Sequence, residues 1–137
     1  MMIIAIPLQN FRDGIVRHES LTDIQTERAR TVHRRLQGMP FIGSFERFEA
    51  GFLRDYNPDR ELAIWEAMAN AIELAAPRDE ERSEVSRLVF WLSMNIRHPK
   101  ASSWSLSKRV IDRVVASWQA AKDEVGLTIT LITVQRT

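Results

Sequence analysis

Asn57-Pro58-Asp59-Arg60-Glu61-Leu62-Ala63-Ile64-Trp65-Glu66-Ala67-Met68-Ala69-Asn70-Ala71-Ile72-Glu73-Leu74-Ala75-Ala76 is the stretch on which the fold turns. An asparagine side chain accepts free backbone N–H groups, and proline's fixed φ suits the first helical position. A helix is therefore predicted from Pro58 to about Ala76. Leu62, Trp65, Met68, Ala69 and Ile72 recur at helical spacing on one face. Ile64, Ala67, Ala71 and Leu74 fall on another, leaving Glu66, Asn70 and Glu73 as a narrow polar strip. A helix apolar on nearly all sides belongs in the middle of its domain. The others are expected to pack around it and to leave no cleft for catalysis.

Upstream, Thr22 and Gln25 stand at capping-box spacing, with Ser20 and Asp23 as a rival cap. The helix they open carries Leu21, Ile24, Val32 and Leu36 on one face and stops at Gly38. Arg28 and Arg35 project from the middle of that apolar face; Arg30, His33 and Arg34 point the other way. A second helical segment holds Phe41, Phe45, Phe48 and Phe52 in one aromatic stripe. Gly43 and Gly51 weaken it by about 1 kcal/mol each relative to alanine, so it is short.

Downstream, Pro77 restarts the chain into a fourth helix. Its first turns hold Asp79, Glu80, Glu81 and Glu84, where negative charge suits the helix dipole. Its second half, from Leu88 to Ile96, is almost wholly apolar and is the expected buried end. Arg97-His98-Pro99 closes it, with cations at the carbonyl end. A fifth helix begins near Ser103 or Ser105 and runs to Val125, with Gly126 past its end. Leu106, Val110, Val114, Trp118, Ala121 and Val125 form its inner stripe.

Residues 2–6 are short and β-branched, and Pro7 closes them; residues 127–134 are β-branched and partly alternating. Both read as strands. Paired, they make a two-stranded ribbon that needs a helix or a partner beneath it, and an open edge on it invites another chain. The expected architecture is mainly α (α+β): about five helices around a central apolar one, plus this terminal ribbon, in a single domain over residues 1–137.

Composition fits that architecture. With 137 residues, 45% hydrophobic and 27% charged, the chain is neither disordered nor fibrous. Nineteen basic side chains against eighteen acidic ones leave a charge of +1, which argues against binding nucleic acid by bulk electrostatics, though not against a local basic patch. There is no cysteine, hence no disulfide, thiolate site or cysteine nucleophile. No apolar run approaches the roughly 20 residues of a membrane span, and residues 1–11 lack a basic start and a cleavage site. A cytoplasmic protein without a membrane partner is the expectation.

Signatures of catalysis are absent. His18, His33 and His98 have no metal-ligand spacing, and no Glu-x-x-His occurs. Ser102, Ser103, Ser105 and Ser107 near His98 suggest a nucleophile and base, yet helix capping explains serines ahead of Leu106. Glu46 and Glu49 read as the wet side of an amphipathic helix. The five glycines are dispersed, so no phosphate-cradling loop exists. No catalytic, cofactor-binding or metal-binding residue is assigned, and no cofactor is expected.

Two surfaces remain. Arg28, Arg35, Phe41, Phe45, Phe48 and Phe52 form a candidate partner surface, unless the phenylalanines are core and the arginines are paired or snorkelling. Arg97, Lys100, Trp104, Lys108, Arg109 and Arg113 form candidate nucleic-acid contacts. The order helix, turn, helix around them resembles a helix-turn-helix recognition element, with the last strand as a wing. Its connection of about six residues is longer than usual and lacks the usual glycine. The first expectation for function is a non-catalytic protein-interaction module, a small adaptor, inhibitor or assembly subunit, whose partner is another protein or a second copy. The alternative is a nucleic-acid-binding protein using residues 97–113.

Overall fold

The computed structural model describes residues 20–39, 42–54, 57–95 and 97–126. They form five α-helices: α1 (Asp23–Leu36), α2 (Phe45–Leu53), α3 (Pro58–Ala75), α4 (Arg82–Met94) and α5 (Lys108–Glu124), with 3-10 turns at Asp79–Glu81 and Ala101–Ser103. No strand occurs among the described residues. Both segments expected to make the ribbon lie outside them, as does Phe41.

Helix starts follow local chemistry. The Thr22 hydroxyl accepts from the Gln25 backbone N–H at 3.1 Å, and Gln25 Oε1 accepts from the Thr22 N–H at 3.0 Å. Ser44 caps α2, Asn57 caps α3 ahead of Pro58, and Ser107 caps α5, each accepting from the N–H three residues on. Every one satisfies a donor that the first helical turn leaves unpaired.

Helix α3 packs against all four other helices, most extensively against α5, and is central as expected. It buries Leu62, Ala67, Met68, Ala69, Ala71, Ile72 and Ala75 in a core shared with Val32 and Leu36 of α1, Phe48 and Phe52 of α2, Val85, Leu88 and Val89 of α4, and Ile111, Val114 and Trp118 of α5. It is not covered on every side: Leu74 is 58% exposed, and Ile64 and Trp65 are half-buried. Four neighbours, one of them only nine residues long, do not close a ring around an eighteen-residue rod.

Four further expectations are corrected. Ile24 is 74% exposed, and Ala29 takes its place on the inner face with Val32 and Leu36. His33 is half-buried rather than open to water: α2 covers part of that side of α1, and the imidazole lies 5.6 Å from the Phe45 ring and 5.4 Å from the Phe48 ring. The fourth helix ends at Met94, which is 68% exposed, because the Asn95 amide donates to the Trp91 carbonyl and its backbone leaves the helix. Arg97 and His98 therefore do not sit in its last turn. Helix α5 starts at Lys108, later than Ser103 or Ser105, since Ser107 makes the cap.

Pro77 disfavours a right-handed helical conformation at the residue before it. Ala76 responds by adopting φ 48°, ψ 58°, the left-handed cap conformation that glycine occupies without strain. Ala76→Gly should therefore raise stability by roughly 0.5–1 kcal/mol, read as a higher urea midpoint at unchanged slope. An unchanged or lower midpoint would show that the cap carries no strain.

Candidate binding site

The first candidate surface is largely taken up inside the chain. Arg28 meets Glu66 in a two-pronged ion pair, Nε to Oε2 at 3.0 Å and Nη2 to Oε1 at 2.7 Å, and reaches Asp59 at 3.4 Å. The hydrogen bond to Glu66 raises the guanidinium pKa above its ordinary value, against the opposing effect of burial. Arg35 donates to Asn70 Oδ1 at 2.9 Å and lies 3.3 Å from Glu73. The polar strip of α3 thus receives Arg28 and Arg35 of α1, which are spaced seven residues apart like Asp59 and Glu66, or Glu66 and Glu73. Phe48 and Phe52 are 8% and 2% exposed, and their rings meet edge to face at 5.0 Å. Phe45 is half-buried, with the Arg30 guanidinium 4.8 Å from its ring centre.

The second set is divided by the connection from α4 to α5. That connection runs from Asn95 to Ser107, too long for the tight turn of a helix-turn-helix element. Lys108 pairs with Asp112 at 2.9 Å, one turn along α5. Arg113 Nε donates to the Ala75 carbonyl at 2.9 Å, fastening α5 to the end of α3. Arg109 is exposed on the first turn of α5. Arg97, Lys100 and Trp104, by contrast, come together around one hollow of about 360 Å³, joined by Trp91, His98 and Ser103. Small-molecule pockets begin at about 300 Å³.

Each wall has a local cause. Trp91 stands on α4 just before the Asn95 cap. Pro99 is buried and anchors the start of the connection. The Ser103 N–H donates to the Lys100 carbonyl at 3.0 Å and that of Trp104 to Ala101 at 3.2 Å, so the 3-10 turn folds back on Lys100. Both indoles are half-buried against the core while their polar neighbours are exposed. The lining contains no carboxylate, and among the described residues neither the Arg97 nor the Lys100 side chain has an ion-pair or hydrogen-bond partner.

Glu84 of α4 fixes the far end of this wall. Its Oε2 accepts from the Ser105 N–H at 2.7 Å, and its Oε1 accepts from the Ser105 hydroxyl. The hydroxyl bond first, and the backbone bond second, hold the carboxyl below its ordinary value of 4.5, with Arg87 assisting. Because the folded pKa is depressed, the clamp's contribution to stability is complete above 4.5 and lost as pH falls through the folded value. Glu84→Gln should therefore melt below the wild type at neutral pH, and the gap should close in acid below 4.5. A gap independent of pH would show that the carboxylate charge is not what Ser105 uses.

The arrangement around His98 does not form a nucleophilic triad. Its Nδ1 lies 3.0 Å from the Pro99 carbonyl, and its Nε2 faces Asp112 at 3.7 Å. Both ring nitrogens are thus directed elsewhere, and neither is presented to Ser103, which such chemistry requires. No group of three or more His, Cys, Asp or Glu among the described residues is placed to hold a metal ion. Among the same residues no helix is long and apolar enough to cross a membrane.

Reasoning from sequence missed Trp91, which reads as core within the run Leu88 to Leu92. Two tryptophans bracketing Arg97, His98 and Lys100 within one short segment is the signal that would have found the hollow. No protein family, curated protein or solved structure matches this chain, so the reading of its function rests on this geometry.

Proposed function

We propose that the chain is a non-catalytic binding module, and that its working surface is the hollow between α4 and the connection to α5, where it holds an anionic partner. The observation that carries this reading is the juxtaposition of two half-buried indoles with Arg97 and Lys100, in a lining without a carboxylate. Arg28, Arg35, Arg78 and Arg113, by contrast, face acidic groups of the same chain. A cation without an internal partner keeps its full attraction for an external anion, strengthened where apolar walls displace water.

The test is titration at low salt with three polyanions: a single-stranded oligonucleotide, polyglutamate and heparin. At least one should bind, and the double variant Arg97→Glu, Lys100→Glu should abolish that binding without changing the circular dichroism spectrum. Absence of binding to all three, or binding that the double variant leaves intact, overturns the reading.

A second reading keeps the α1–α2 face for a protein partner or a second copy of the chain. It is favoured by Phe45, which stays partly open beneath Arg30. Light scattering after size exclusion would show a dimer that Phe45→Ser dissociates; a monomer with and without the substitution removes its basis.

A further inference from the structure

We infer that the partner of the Trp91–Trp104 hollow is a single-stranded nucleic acid, with an unpaired base stacked on indole and the flanking phosphates on Arg97 and Lys100. This rests on the hollow being the binding surface and names what fills it.

The two parts of the hollow ask for different things of one ligand. Arg97 and Lys100, exposed at the rim, need anionic groups on the ligand's outside. Trp91 and Trp104, half-buried against the core, line the hollow with indole rings, on which a planar group can stack. A nucleotide supplies both at one repeat, since each base has a π face and each link carries a phosphate. An acidic peptide supplies the charge and leaves the indoles without a counterpart. Duplex nucleic acid supplies phosphates but keeps its bases paired and stacked inside, out of reach of a half-buried indole. The duplex also favours a protein with a broad basic face, and this chain's net charge is only +1.

The remaining wall groups fit the same ligand. The Ser103 hydroxyl adds hydrogen-bonding capacity for phosphate or a base edge. Asp112 approaches this wall at His98, and its two oxygens are directed to Lys108 and His98. Its charge is thereby offset within the chain.

Fluorescence anisotropy of a labelled oligothymidylate, at low and rising salt, reads the inference directly. Three competitors are added: an abasic strand of the same length and charge, the duplex form, and polyglutamate. Oligothymidylate should bind best, and the abasic strand should be weaker by at least about fivefold, the low end of one base–aromatic stack. Trp104→Ala should bring the two strands to nearly equal affinity. Lys100→Glu, an exposed change that leaves the fold intact, should lower the slope of log affinity against log salt by about 0.7 for its one phosphate.

If the abasic strand or polyglutamate binds as well as oligothymidylate, the hollow is an anion site and the nucleic-acid inference fails. If the duplex binds best, the single-strand inference fails in the same way. If none of the four binds and heparin does not bind either, the proposed function falls with it.

Discussion

Leu62→Ala should destabilise the protein by about 2–5 kcal/mol, and Leu74→Ala by no more than about 0.5 kcal/mol. Both leucines sit on α3, so the loss of the same side chain and the change in helix propensity are shared between them. They differ in surroundings: Leu62 is 0% exposed and Leu74 is 58% exposed. At position 62 the substitution removes buried methyl groups and leaves a cavity between α3 and the helices around it, which close-packed neighbours fill only in part. At position 74 water already occupies most of the surface, and nothing has to collapse. Urea unfolding of the two variants gives the comparison, with the slope as a check that both remain two-state. Equal costs at the two positions would mean that α3 is not the partly open central helix described above.

The second large effect lies in the seam between α1 and α3. Arg28 and Glu66 are 30% and 27% exposed at the side chain and make two parallel hydrogen bonds. Fully exposed ion pairs contribute about 0.2–1 kcal/mol, whereas removing one partner of a fully buried pair costs about 3–5 kcal/mol. Two-pronged geometry in a partly desolvated seam lies between these limits. A double-mutant cycle over Arg28→Ala and Glu66→Ala should give a coupling of about 1–2 kcal/mol. The Lys108–Asp112 pair on α5 is the internal control. It is just as close at 2.9 Å, yet its side chains are 77% and 47% exposed, and its coupling should stay below about 0.5 kcal/mol. A coupling across the seam no larger than that of the control would make Arg28 an ordinary surface arginine, free to meet a partner after all.

How far the fold was legible depended on whether its causes were local. Thr22 with Gln25, and Asn57 with Pro58, announce helix starts through bonds made within one turn, and the structure contains those bonds. The central place of α3 follows from its apolar circumference, a property of one segment. The errors came where a distant element decided the outcome. Glu66, Asn70 and Glu73 read only as a polar strip until α1 is laid along them, and the pairing open to Arg28 and Arg35 has no named partner until the strip is opposite. His33 reads as solvent-facing because the rings that cover it belong to α2.

The site was half legible. The clustering of Arg97, Lys100 and Trp104 was visible, but Arg113 has a partner on α3 that spacing along the chain does not reveal, and Lys108 pairs with Asp112 one turn on, a spacing that was there to be read. The run from Leu88 to Ile96 kept an apolar pattern past the point where Asn95 ends the helix. Ser103 and Ser105 imitate caps, although Ser107 makes the cap and Ser105 bonds Glu84. These substitutions of one serine for another moved the helix boundary and concealed the connection that builds the hollow.

The account stands on Trp91 and Trp104 forming the wall where a partner sits, and the chain's four tryptophans give a direct way to see this. In a proton–nitrogen correlation spectrum each indole N–H gives its own signal. On adding oligothymidylate, the signals of Trp91 and Trp104 should shift or broaden, while those of Trp65, near Phe48 and Phe90, and Trp118, buried on α5, stay in place. Shifts confined to Trp65 and the α1–α2 amides, with Trp91 and Trp104 unmoved, would contradict it.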